Sequence, residues 1–180
     1  MNRIVALVGM CGSGKSVCCE VFRKEGWEYV YFGGVTMKEL AKRGLERNEE
    51  NERRVREELR GTYGPAAFAI LLVEEIREKL SRANVCLDGL YSWSEYKVLK
   101  EEFGEQMEVV AIIADRKERY ARIGKRPVRP LTPEEAESRD RAEIEKLEKG
   151  GPIAMADRFL FNSGSLADLE EKTRAVIRQN

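Results

Sequence analysis

Residues 3–16 read RIVALVGMCGSGKS: a short apolar, β-rich run that ends at a glycine and leads into a glycine-rich loop. Gly9, Gly14, Lys15 and Ser16 fit the spacing G-x-x-x-x-G-K-[ST], and the following stretch, GKSVCCEVFRKEG (14–26), has the pattern of a helix stopped by Gly26. Strand, loop and helix in this order predict a phosphate cradle. The glycines let backbone amides curl around an anion, and the helix start adds its partial positive charge. Gly9, Cys11, Gly12, Ser13, Gly14, Lys15, Ser16 and Val17 form the candidate cradle. Lys15 suits the β- and γ-phosphates of a nucleoside triphosphate, and the Ser16 hydroxyl suits Mg²⁺. ATP and Mg²⁺ are therefore the expected cofactors. A cradle of this kind sits at the edge of an open sheet, so the rest of the chain must supply parallel strands.

It does so by alternation. WEYVYF (27–32), NVCLDGL (84–90), MEVVAIIAD (107–115) and DRFLFNSG (157–164) read as further strands. Helices are predicted over 36–44, with Thr36 and Glu39 as a capping box and Gly44 as the stop, and over 65–80, with Pro65 in the first turn. Residues 49–60 are highly charged, and RGTYG separates them from that helix. Ser92 and Glu95 cap WSEYKVLKEEF; another helix runs through Ile123. Thr132, Pro133 and Glu135 open a helix reaching about Lys149, which GGP (150–152) breaks, and Ser165 caps a last helix over 165–177. Alternating strands and helices predict an α/β domain with a parallel sheet covered on both faces. A length of 180 residues suits one domain.

Composition narrows the chemistry. Lys plus Arg and Asp plus Glu both total 32, so the chain lacks the basic excess of a nucleic-acid binder. There is no histidine, so acid–base work falls to Asp, Glu, Lys or Tyr. Cys11, Cys18, Cys19 and Cys86 form no CxxC pair and read as thiols in a reducing compartment, not as a zinc site. No apolar stretch approaches membrane-spanning length, and the N-terminus is no signal peptide. A cytoplasmic protein with no nucleic-acid or membrane partner is expected.

Ligands of open α/β sheets bind at the carboxyl ends of the strands. Asp88 ends NVCLD, where it could organise Mg²⁺, accept a proton from an attacking hydroxyl, or cap a local turn before Gly89. Asp115 is a candidate N-cap. Between 124 and 141, GKRPVRPLTPEEAESRDR gathers Arg126, Arg129, Arg139 and Arg141. Guanidinium groups suit the charge spread over a transferring phosphoryl group. Arg126 and Arg129 lie on the stiff RPVRP connection and Arg139 on the capped helix. Arg119, Arg122 and Arg126 share one helix face if the helix runs that far, while Arg116 and Arg141 read as surface. The prolines predict that the segment closes as a unit. Tyr63, Phe68, Tyr91 and Trp93 suit either base stacking or core packing.

The phosphate loop, the DG at 88–89, the arginine-rich segment and ADRFLFNSGSLADL (156–169) together resemble dephospho-CoA kinase-like and archaeal adenylate-kinase-related P-loop kinases. The segment RKERYARIGKRPVRPLTPEEAESRDRAEIEKLEKGGPIAMAD (116–157) is similar to uncharacterised bacterial members. The resemblance covers nearly the whole chain. It implies a three-layer P-loop fold with a five-stranded sheet in the order 2-3-1-4-5, an acceptor-binding helical region near 33–80 and a lid near 125–150. By the same resemblance Gly9–Ser16 bind the triphosphate and Asp88 ends the acceptor-side strand. Arg122 and Arg126 correspond to helix-to-lid arginines, Arg139 to a lid-helix arginine, and Asn162 lies where the last strand's loop approaches the base. The implied activity is ATP- and Mg²⁺-dependent phosphoryl transfer to a nucleotide or nucleotide-like molecule by a monomer or homodimer. Alternatives are dephospho-CoA kinase activity or a regulatory protein that hydrolyses nucleotide slowly. One departure stands out: YFGGVT (31–36) carries Gly33 and Gly34 where such kinases often have an aspartate, which counts against dephospho-CoA as acceptor.

Overall fold

The computed structural model describes residues 1–127 and 129–179. Five strands, β1 (Ile4–Val8), β2 (Glu28–Tyr31), β3 (Val85–Asp88), β4 (Met107–Ile113) and β5 (Arg158–Phe161), form one sheet in the order β2-β3-β1-β4-β5. Every pairing is parallel, and Leu7 lies opposite both Asp88 and Val110. All five residues of the central strand β1 are buried, which is why its sequence is continuously apolar and not alternating.

Nine helices surround this sheet among the described residues: α1 (Lys15–Lys24), α2 (Gly33–Lys42), α3 (Glu49–Tyr63), α4 (Ala67–Arg82), α5 (Trp93–Phe103), α6 (Arg116–Gly124), α7 (Pro133–Glu145), α8 (Gly150–Ala154) and α9 (Leu166–Arg178). Ile4, Ala6 and Val8 face one core with Phe32, Leu40, Val55, Phe68, Leu72 and Leu99. Val5 and Leu7 face the other, with Cys18, Phe22, Trp27, Leu169 and Val176. The expected α/β architecture and strand order are thus present.

Capping boxes occur at Ser92–Glu95, Thr132–Glu135 and Ser165–Asp168. Four local expectations need correction. The Thr36–Glu39 box does not exist: α2 starts at Gly33, and Thr36 is buried inside it. Phe32 anchors the chain in the core, and its carbonyl accepts from Val35 N at 3.2 Å, so the turn closes before Thr36 is reached. Residues 49–60 belong to a full helix that Asn48 caps by accepting from Asn51 N at 2.9 Å, and the helix runs on through Arg60–Tyr63. The next helix then opens at Ala67 instead of Pro65. Helix α7 stops at Glu145, short of Lys149, and GGP begins the short α8 where a break was expected. Asp115 holds the N-cap position of α6 without a side-chain capping bond.

Candidate active site

The loop after β1 lies at the carboxyl edge of the sheet. Gly9, Gly12 and Gly14 have φ of 155°, 81° and 105°. A Cβ on Gly12 would lie 2.8 Å from the Arg119 carbonyl, and one on Gly14 would collide with the Asn162 amide. Only glycine fits both places. No side chain caps Gly14, so the first amides of α1 stay available to an anion. Asn162 steadies this loop from the end of β5: its Nδ2 donates to Ser13 O at 2.8 Å and its own N–H to Ile113 O at 2.7 Å.

Lys15 Nζ donates to Asp88 Oδ1, and Tyr29 OH donates to Asp88 Oδ2 at 2.6 Å. The register that sets Leu7 beside Asp88 brings the carboxylate to the loop. Burial opposes ionisation of both groups and is the largest single influence on each, yet the partner's charge and the surrounding hydrogen bonds and polar groups together outweigh it. Lys15 stays protonated well above its ordinary range, and the Asp88 carboxyl is held below its own. Burial and the Asp88 bond also push the Tyr29 phenol up. The Asp88 carboxylate faces Lys15, not a local turn.

Three of the sequence-predicted arginines line the cavity at the loop. Arg122 Nη2 donates to Asn162 O at 3.0 Å and to Glu118 at 3.0 Å. Arg126 Nη1 lies 3.6 Å from Cys11 Sγ, although α6 ends at Gly124 before reaching it. Arg139 Nε donates to Glu143 Oε1 at 3.2 Å. Arg129 stands apart, 3.4 Å from Glu49 of α3. Arg116 and Arg141 are exposed, as expected.

Sequence reading missed two buried pairs. Arg119 grips Asp140 of α7 with bonds of 2.9 and 2.6 Å and donates to Cys11 O at 3.0 Å, so one guanidinium joins the loop, α6 and α7. Lys149 Nζ donates to Glu143 Oε2 at 2.7 Å. The i, i+3 recurrence of Arg119 and Arg122 was the only signal pointing inward.

Two cavities adjoin. One of about 380 Å³ is lined by Gly9–Val17, Arg122, Arg126 and Lys149; the other, of about 620 Å³, by Gly33, Thr36, Arg53, Arg56, Arg60, Phe68 and Arg129 among others. Tyr91, Arg139 and Glu143 line both. Burial pushes the Tyr91 phenol up to about 12, so it remains a hydrogen-bond donor at neutral pH. Of the four aromatic candidates, Phe68 and Tyr91 line the larger cavity, whereas Trp93 stacks on Tyr96 at 4.9 Å between ring centres. Ser16 is exposed at the head of α1. No cluster of three His, Cys, Asp or Glu ligands exists among the described residues. One hydroxyl and one carboxylate beside a phosphate cradle fit Mg²⁺, which keeps most of its shell as water and phosphate oxygen.

Over residues 5–146 the chain matches a family model described as an AAA domain. A UPF0200 protein of Aeropyrum pernix is 39% identical over 177 residues, covering 97% of this chain and 92% of that protein. One of Thermococcus gammatolerans is 36% identical over 180 residues, covering 98% and 94%. Both are archaeal, where bacterial relatives were expected for residues 116–157. Among solved structures, TT1252 from Thermus thermophilus superposes with a TM-score of 0.65 at 24% identity, covering 98% of this chain and 96% of that one. Dephospho-CoA kinase from Campylobacter jejuni gives 0.56 at 19% identity, covering 98% and 96%. Shikimate kinase from Acinetobacter baumannii, in complex with shikimate, gives 0.57 at 18% identity, covering 98% and 93%. At these identities the structural likeness carries the fold alone.

Proposed function

This chain belongs to the UPF0200 family, with a P-loop kinase-like AAA domain, and from that premise we propose that it transfers the γ-phosphoryl group of ATP to a nucleotide-like small molecule. One observation carries this reading: a cavity built on the phosphate loop opens onto a larger one, and Tyr91, Arg139 and Glu143 stand at the junction. A hydrolase needs only the first cavity.

The larger cavity suits an anionic acceptor. Arg60 is half-buried over the Phe68 ring, 5.0 Å from its centre, and burial lowers its pKa. Neither Arg60 nor Arg53 has an ion pair among the described residues. Nearby, the Thr36 hydroxyl is buried without a hydrogen-bond partner among them. A half-buried cation and an unpaired buried hydroxyl both favour a ligand with anionic oxygens, such as a monophosphate. Gly33 lines this cavity and, like Gly34 beside it, brings no side chain. An aspartate there would repel the acceptor's charge, and its absence also removes the base that a 3′-hydroxyl acceptor such as dephospho-CoA would call on.

Each polar residue then has a task. Lys15 holds the β- and γ-phosphates after leaving Asp88. Asp88, still held by Tyr29, orders the attacking oxygen or accepts its proton. Ser16 and Asp88 would hold Mg²⁺, which would neutralise charge on the β- and γ-phosphates. Arg122, Arg126 and Arg139 meet charge that grows as the phosphoryl group moves. The lid near 125–150 would close over the transferring group and carry Arg139 on α7, which the Arg119–Asp140 pair ties to α6. Free cysteines suit a reducing compartment, and we place the reaction in the cytoplasm.

The test is ADP release from Mg-ATP with a panel of nucleoside monophosphates, dephospho-CoA and no acceptor. Stimulation by a monophosphate supports the reading. Slow release that no acceptor changes favours a nucleotide-dependent regulatory protein, the reading that the missing acid at 33–34 keeps in play.

A further inference from the structure

Lys149 is a buried lysine that the reaction described above leaves unused. Just beyond α7 the chain folds back on the helix end: Lys149 N donates to Glu143 O at 3.1 Å, Glu148 N donates to Ile144 O at 3.1 Å, and Glu148 takes the left-handed φ of 52°. This turn aims Lys149 into the protein, where it is 2% exposed. Its Nζ sits 4.9 Å above the Tyr91 ring and beside the phosphate-loop cavity. An ammonium has three donors, and among the described residues only Glu143 accepts one.

Glu143 is equally unusual. It is buried, and its two oxygens take Lys149 at 2.7 Å and Arg139 at 3.2 Å. Burial and the charge of Lys15 both lower the Lys149 pKa, while Glu143 opposes them. Lys15, Lys149 and Glu143 line this cavity, and each lysine has a carboxylate partner, Asp88 for Lys15 and Glu143 for Lys149. A carboxylate with a cation on each oxygen, inside a cavity shaped for phosphate, occupies the place of a phosphate group.

We propose that Lys149 is a second phosphate-contacting lysine and that Glu143 holds Lys149 and Arg139 in waiting until a terminal phosphate replaces it. On entry of the triphosphate, both cations exchange their bonds from Glu143 to the γ-phosphate. Glu143 lines both cavities, so the exchange is assigned to their junction and to the γ-phosphate, the group that ADP lacks. The assignment rests on the nucleotide reading above and adds a residue and a competition to it.

The competition gives two variants effects of opposite sign. Binding of the non-hydrolysable ATP analogue AMP-PNP and of ADP, each with Mg²⁺, is measured by calorimetry. Lys149→Met should weaken AMP-PNP about tenfold, the equivalent of ~1.4 kcal/mol, while ADP changes less than about twofold. Glu143→Gln should tighten AMP-PNP several-fold, since the competing charge is gone; a merely structural glutamate would weaken it. Equal loss for both nucleotides in Lys149→Met, no change in either, or weaker AMP-PNP binding in Glu143→Gln overturns the proposal. If Lys149→Met does not fold, Lys149→Gln combined with Glu143→Gln removes both charges together. That double variant should bind AMP-PNP about tenfold more weakly than Glu143→Gln alone, with ADP little changed, and equal AMP-PNP binding by the two overturns the proposal. Failure of the parent to bind either nucleotide would instead bring down the phosphate-loop reading itself, and this inference with it.

Discussion

Asp140→Ala isolates the contact that ties the phosphate loop to α7. The Arg119 and Asp140 side chains are 7% and 10% exposed and joined by two bonds, of 2.9 and 2.6 Å. Removing the carboxylate strands a buried guanidinium, which typically costs about 3–5 kcal/mol. For a domain of this size each kcal/mol lowers Tm by about 2–4 °C, so a fall of roughly 6–20 °C is expected in thermal unfolding followed by circular dichroism. Much of the cost comes from the uncompensated charge, so Arg119→Met with Asp140→Leu should recover most of it. Arg119 also donates to Cys11 O at 3.0 Å, and the double variant should still bind Mg-ATP more weakly than the parent. A fall below about 2 °C for Asp140→Ala, or a double variant less stable than the single, would refute the reasoning.

Other outcomes follow from the same geometry. Asp88 has a folded pKa below its ordinary value, so its pairing stabilises the fold above the ordinary carboxylate range, and that stability is lost as pH falls through the lowered value. Acid titration of unfolding should show this loss in the parent and not in Asp88→Asn, whose turnover should fall far more than its ATP affinity. Arg126→Ala should lower turnover more than ATP binding, with poor rescue by Lys, because a point charge lacks the planar fork; steady-state kinetics beside direct ATP binding separates the two. Glu148→Gly relieves a left-handed residue and should raise Tm by about 1–4 °C, from roughly 0.5–1 kcal/mol.

Much of this was legible because it is local. The continuous apolar run of β1 marks a strand buried on both faces, and Ser92, Thr132 and Ser165 cap helices within three residues of their partners. The phosphate loop is a pattern of eight consecutive residues. Thr36 shows where local reading fails: T-x-x-E fits a capping box, but core packing of Phe32 starts the helix earlier. Helix α3 hid behind its charge, since few of its residues face inward, chiefly Val55, Leu59 and the buried Glu52. The site's missing parts were tertiary. Arg119 and Asp140 lie 21 residues apart, and nothing in either neighbourhood names the other. Lys149 is turned inward by a left-handed Glu148, a residue type that gives no hint of such a turn. Arg129 and Arg139 look alike on paper, yet the chain sets one against α3 and the other at the junction of the cavities.

Following the label from γ-phosphoryl-labelled ATP tests the central claim most directly. The protein is incubated with Mg²⁺, labelled ATP and each nucleoside monophosphate in turn, with Lys15→Met as control. The account predicts label on the β-phosphate of a nucleoside diphosphate, formed only with the matching monophosphate and reduced by about 10²–10³ in the control. Label released solely as inorganic phosphate, at a rate no acceptor changes, would contradict it.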